Sequence, residues 1–276
     1  MLIDPNDPNI LQRYMPGEIA LKVISDEGFY FRRIDGYPDD PTEGDRKIFD
    51  INEQRIFHDV SRKFPEITPE IAKQLSADLM RKEKQSRYIQ SWFWHAKISR
   101  NMWEEYGELT INNPNCVLFT VNRIELERYL YKELPTGCKT GKIRYVPHKQ
   151  AQQEAIFTKQ ETFKPEDEYR IVINVDELIS FNNKILPELT RPIRHMQKFH
   201  EKNPIPNYFA NCGIAYECLF KYVDDYGFIL RAPLPSLIKD IYIPISASIE
   251  FSKKLDELLA TKGYTIKCQR IKLPAE

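Results

Sequence analysis

"RYIQSWFWHAKISRNMWEEYGE", residues 87–108, holds all three tryptophans of the chain, Trp92, Trp94 and Trp103. Its first part, "RYIQSWFW", is rich in aromatic side chains that fit a pleated, half-buried surface, so it reads as a strand. Strand side chains alternate, which puts Trp92 and Trp94 on one face and Phe93 on the other. Its last part, "NMWEEYGE", reads as a short helix. Asn101 is a candidate cap, and Glu104, three residues on, completes a capping box. On that helix Met102 and Tyr106 share a face and Trp103 borders it. Trp92 and Trp94 are therefore expected in a core. Trp103 and Tyr106, among charged neighbours, are expected to wall a pocket.

Upstream, "EIALKVI" (18–24) and "FYFRRI" (29–34) read as two β-runs joined by a turn at Ser25–Gly28. "DGYPDDPTEGDR" (35–46) is a loop, rich in Pro, Gly and Asp. Residues 47–64 carry apolar side chains at helical intervals, and Thr68 followed by Pro69 marks the start of another helix. Downstream, "NCVLFTV" is a strand, and "NRIELERYLYKEL" is a helix with a capping box at Asn122 and Glu125. "GKIRYVP" and "EYRIVINV" are strands. Residues 177–205 suggest a helical insertion, and further short strands are expected between Asn207 and Arg231. "LIKDIYIP", an amphipathic helix ending at Gly263, and "YTIKCQRIKL" close the chain. Irregular alternation with hairpin-like pairs near the start favours an α+β fold, a single domain over 1–276 with a mixed, mostly antiparallel sheet flanked by helices.

Composition narrows function by exclusion. Forty Lys and Arg balance forty Asp and Glu, so no overall charge argues for nucleic acid or an anionic membrane; a local basic patch stays open. No apolar run is long enough for a membrane span, and the N-terminus lacks a signal-peptide pattern, so a cytoplasmic protein with no membrane partner is expected. Five scattered cysteines read as reduced thiols, and no metal-binding Cys or His spacing occurs. The sequence has no glycine-rich dinucleotide or phosphate loop.

Three segments carry candidate chemistry. Asp39, Asp40, Glu43 and Asp45 crowd a proline-stiffened loop flanked by Arg32, Arg33 and Arg46; such a loop is either a solvated turn or a convergent set of carboxylates. Glu166, Asp167 and Glu168 stand at the mouth of a strand, with Glu168 and Arg170 on one face. They form either a structural ion pair or a carboxylate site oriented by arginine. The third segment is the tryptophan stretch, as core or as a stacking wall.

Together these segments resemble the DUF2971 family, a domain of unknown function. The likeness lies in "GFYFRRIDGYPDDPTEG", with Asp39, Asp40, Pro41 and Glu43; in Ser91-Trp92 and Met102-Trp103-Glu104-Glu105-Tyr106; and in Ile143-Arg144-Tyr145. It continues in Lys159, Phe163, Glu166, Glu168 and Arg170, and in "LIKDIYIPISAS". It spans about residues 10 to 272. The resemblance implies a shared site of Arg33, Asp40, Glu43, Trp103, Tyr106, Lys159, Glu166, Glu168 and Arg170, with Glu168 and Glu166 as the catalytic candidates.

Such a set suits an enzyme acting on a nucleotide or NAD, in the manner of ADP-ribosyl transfer or NAD cleavage, with a role in bacterial stress or phage defence. Tyr106 or Trp103 would face the nicotinamide. Arg33 or Arg170 would hold phosphate, and Glu168 would steady an oxocarbenium-like centre. NAD is thus the candidate cofactor and a small nucleotide the candidate partner; nucleic acid and a protein partner stay open. A magnesium-dependent nuclease using Asp40 or Glu43 with Glu166 and Glu168 is the alternative, and a non-enzymatic sensor is a third reading.

Overall fold

The computed structural model describes residues 7–36, 68–95, 97–147, 155–178, 219–224 and 226–274. The chain opens with β1 (Ile10–Pro16), helix α1 (Gly17–Asp26) and β2 (Gly28–Arg33). Helix α2 (Pro69–Gln85), β3 (Arg87–Phe93), the short α3 (Arg100–Glu105), β4 (Cys116–Asn122) and α4 (Arg123–Glu133) follow. Then come β5 (Cys138–Lys142), β6 (Arg144–Val146), β7 (Thr158–Gln160), a 3₁₀ turn (Glu161–Glu166) and β8 (Glu168–Asn174). The chain closes with β9 (Phe220–Asp224), β10 (Gly227–Arg231), α5 (Leu234–Leu237), β11 (Ile238–Pro244), α6 (Ile249–Thr261) and β12 (Cys268–Ile271). Among these helices none is long and apolar enough to cross a membrane.

Ten strands form one sheet with the path β12-β11-β4-β1-β3-β2-β10-β9, and β8 and β5 branch from β3. All its pairings are antiparallel except β11 with β12. A separate two-stranded parallel ribbon joins β6 to β7. This is the α+β architecture expected, a mixed and mostly antiparallel sheet with helices.

The expected hairpin at the start is not there. "EIALKVI" is helix α1, which buries Ala20, Val23 and Ile24 and leaves Ile19 exposed. Those buried positions fall at i, i+3 and i+4, a helical stripe that its β-branched residues disguise. The true first strand is "ILQRYMP", apolar on both faces because β1 lies between β4 and β3. "GKIRYVP" breaks at Ile143, whose N–H makes a last bond to the Glu168 carbonyl before the chain leaves to pair with β7. Thr68 and Asn122 cap their helices as expected, and Gly263 follows α6 with a left-handed φ of 78°. Residues 47–64, most of the expected 177–205 insertion, and residues 207–218 lie outside the described residues.

One face of the sheet is covered by α1, α4 and α6 over a continuous core that includes Leu11, Phe29, Phe31, Trp92, Phe119, Ile171, Ile241 and Leu255. The other face carries two smaller apolar clusters. Tyr14, Phe93, Met102, Trp103 and Tyr242 form one; Ile34, Ile89, Ile156 and Val172 form the other. The polar site lies between them.

Candidate functional site

The site originates in a split in the sheet. Strand β8 pairs with β3 along its whole length, from Arg87–Asn174 to Phe93–Glu168. The opposite edge of β3 is shared. Strand β2 meets it at Tyr88 and Ile89, and β1 meets it at Phe93. Between those contacts Gln90, Ser91 and Trp92 pair with neither strand. Buried backbone polar groups need partners, and the Gln90 side chain supplies one: its Nε2 donates to the Tyr30 carbonyl at 3.4 Å, where the ladder opens. Its Oε1 accepts from Trp92 Nε1 at 3.0 Å.

A cleft of about 530 Å³ opens here, lined from the sheet by residues including Gln12, Arg13, Arg32, Ser91, Glu168 and Arg170, and from the opposite side by Tyr106, Lys159, Phe163 and Glu166. Six polar or charged residues are buried among the described ones: Gln12, Ser86, Gln90, Thr120, Glu168 and Arg170. All but Ser86 and Thr120 line this cleft. Burying polar groups is costly without partners, so their convergence marks the site. The cleft walls carry four cations (Arg13, Arg32, Lys159, Arg170) against three carboxylates (Glu105, Glu166, Glu168). That excess favours an anionic ligand, although the whole chain is neutral.

Glu168 is the hub. Its Oε1 accepts from Ser91 Oγ at 2.5 Å and from Arg170 Nε at 2.7 Å. The register explains this, since Arg170 is paired with Ser91 across the strands and so shares its face. Lys159 Nζ lies 2.9 Å from Glu168 Oε2 and 2.8 Å from Glu166 Oε2. The contact with Glu168 Oε2 is an ion pair without hydrogen-bond geometry, so that oxygen is buried and keeps acceptor capacity. The Tyr145 hydroxyl accepts the Glu168 N–H at 2.8 Å, and Arg170 also donates to the Ile156 carbonyl at 2.7 Å. Burial pushes the Glu168 carboxyl up, but Arg170 and Lys159 outweigh it and hold the group down at about 2. Glu168 is therefore ionised at every ordinary pH. Tyr106 donates to Glu166 Oε1 at 2.8 Å; burial first, and the Glu166 charge second, raise its phenol well above the usual range.

The expected residues divide. Tyr106, Lys159, Glu166, Glu168 and Arg170 come together as expected. Trp103 does not wall the cleft: it is fully buried beside Tyr14, with ring centroids 5.3 Å apart. Successive helical side chains diverge by about 100°, so the charges of Glu104 and Glu105 say little about where Trp103 points. The helix cap is Ser99 rather than Asn101. Gln12 donates to the His95 carbonyl at 2.5 Å and Tyr14 accepts from Ser99 N at 3.1 Å, which fastens the approach to α3 onto β1. Arg33 turns away from the cleft to pair with Asp35 at 2.5 Å and to lie over Tyr226. Its neighbour Arg32, on the other face of β2, lines the cleft instead. Asp40 and Glu43 lie outside the described residues.

No family model, curated protein or solved structure matches this chain. The likeness to the DUF2971 family accordingly rests on the motifs quoted above. Arg13 and Gln12 are not legible as site residues in the sequence, because β1 shows no strand alternation. Phe163 is legible only as one letter of the family-like pattern.

Proposed function

We propose that the cleft binds a nucleotide, NAD first among candidates, and cleaves or transfers at its ribosyl centre. The observation that supports this most is Glu168, a buried carboxylate kept ionised at the wall of a nucleotide-sized cleft. A carboxylate titrating near 2 is a poor general base, because it binds protons too weakly at neutral pH. It is well suited to stabilise developing positive charge. Cleavage of the nicotinamide–ribose bond needs just that. The C1′–N bond breaks, its electron pair goes to the ring nitrogen, and nicotinamide leaves neutral without a proton donor. Positive charge develops on the ribosyl centre, and water or an acceptor group then attacks C1′ and gives up its proton to solvent.

Phosphate recognition falls to Arg13 and Arg32 in this reading, because both line the cleft, whereas Arg33 turns away from it toward Asp35. Guanidinium groups match phosphate oxygens in charge and geometry. The magnesium reading has less support. Lys159 lies within 2.9 Å of both Glu166 and Glu168, where a shared cation would have to sit. Membership of the DUF2971 family and a role in stress or phage defence belong to the same proposal and rest on the sequence resemblance alone.

Thermal melting with NAD or Mg²⁺, together with chromatographic detection of released nicotinamide, tests the reading. NAD should raise the melting temperature by mass action, and nicotinamide should accumulate with the wild type but not with Glu168→Gln. Stabilisation by NAD without turnover would favour a sensor. Stabilisation by Mg²⁺ alone would overturn the assignment.

A further inference from the structure

We infer that Phe163, with Tyr106 lining the same cleft, is the stacking platform for the planar base of the ligand. This rests on the nucleotide reading and adds the group that would select the base. Single exposed aromatics are ordinary and need no explanation. Here two of them, 40% and 36% exposed for Tyr106 and Phe163, line the same cleft although they come from separate elements. Phe163 stands on the 3₁₀ turn Glu161–Glu166, in which no residue is buried. Its ring is not part of any of the three apolar clusters.

Both rings are held in advance. The Tyr106 hydroxyl donates to Glu166, Glu166 is ion-paired with Lys159, and Lys159 Nζ lies 5.0 Å from the Phe163 ring centroid. A cation at that distance orients an aromatic face. The polar chain Tyr106–Glu166–Lys159–Phe163 thus ties both rings to the Glu168 hub. A base stacked there would have its sugar directed toward Glu168 and its phosphates toward the arginines. A preorganised ring costs little further ordering when the ligand arrives.

Calorimetric titration of the full chain with NAD, nicotinamide mononucleotide and inorganic pyrophosphate tests this, using Phe163→Leu and Phe163→Trp. A base stacked on an aromatic contributes to affinity, so Phe163→Leu should weaken NAD or nicotinamide mononucleotide about tenfold. Pyrophosphate affinity should not change, and Phe163→Trp should retain or improve base binding. Equal NAD affinity in the wild type and Phe163→Leu would overturn the stacking platform and leave the nucleotide reading standing. A weakening that is as large for pyrophosphate would overturn it too, since the effect would not depend on a base. A wild type that binds neither NAD nor nicotinamide mononucleotide would overturn the parent reading as well.

Discussion

On the Trp92 face of the sheet, apolar side chains from α1, α4 and α6 meet those of the strands in one uninterrupted core. On the Glu168 face the same strands carry two small apolar clusters with charged and amide side chains between them. The difference shows where this protein's stability comes from and where it is given up. Burial of apolar area is additive and tolerant of small errors. A buried ion network is neither, because each member is satisfied only while the others are in place. The first face can hold the second in a geometry it would not keep alone.

The sharpest way to break the comparison is Glu168→Gln. Arg170 is 1% exposed, so losing its counter-charge should destabilise the protein by about 3–5 kcal/mol. Any turnover should also fall by about a hundredfold or more, in line with loss of a preorganised electrostatic contact. Denaturant unfolding and turnover per folded molecule measure the two separately. A destabilised but fully active variant would remove Glu168 from the chemistry. The complementary experiment replaces both partners, Glu168→Leu with Arg170→Met. Buried ion pairs exchanged for apolar groups are often neutral or better, so stability should return to within ~1 kcal/mol of wild type while turnover stays lost. Recovery of stability without function would show that the network is kept for its site and not for the fold.

The network should also respond to acid where the apolar face does not. The Glu168 carboxyl is depressed in the folded chain to about 2 from an ordinary value of 4.5. Its contribution is therefore complete above about pH 4.5 and lost as the pH falls toward 2. Stability measured against pH should drop more steeply over that window in the wild type than in Glu168→Gln. Parallel curves would mean that Glu168 is not held as the geometry implies. Ser91→Ala is a milder version of the same test. It deletes a hydrogen bond to a charged acceptor, a loss of about 1.5 kcal/mol, and it should raise the Glu168 pKa, because that bond helps to lower it.

The two faces are not equally legible in sequence. Trp92 as core follows from strand alternation, and Glu168 with Arg170 on one face follows from the same rule. Period-two reasoning works wherever a strand is recognised. It fails at α1, where β-branched residues imitate a strand, and at β1, which is apolar on both faces and shows no alternation. Those two failures hide the split in the sheet, and with it Arg13 and Gln12. The split depends on where β1 and β2 meet β3, a pairing between segments about eighty and sixty residues apart, and no local pattern encodes it. Trp103 is misplaced for a different reason. Its neighbours' charges do not describe its own environment, because a helix turns adjacent residues to different sides.

The smallest expected effect falls at the outer end of the network, where the comparison can be made most finely. The Tyr106 hydroxyl bonds Glu166, but the tyrosine is 40% exposed. Water can replace that bond when it is removed, so Tyr106→Phe should cost less than about 1 kcal/mol. The ring remains, and a ligand that uses only its flat surface should bind nearly as before. Tyr106→Leu removes the ring together with the hydroxyl. If the ring matters, the loss of NAD affinity should appear in Tyr106→Leu and be nearly absent in Tyr106→Phe. If the two variants lose affinity equally, the hydroxyl and its hold on Glu166 and Lys159 are what count. The charged network would then extend further toward solvent than its burial suggests.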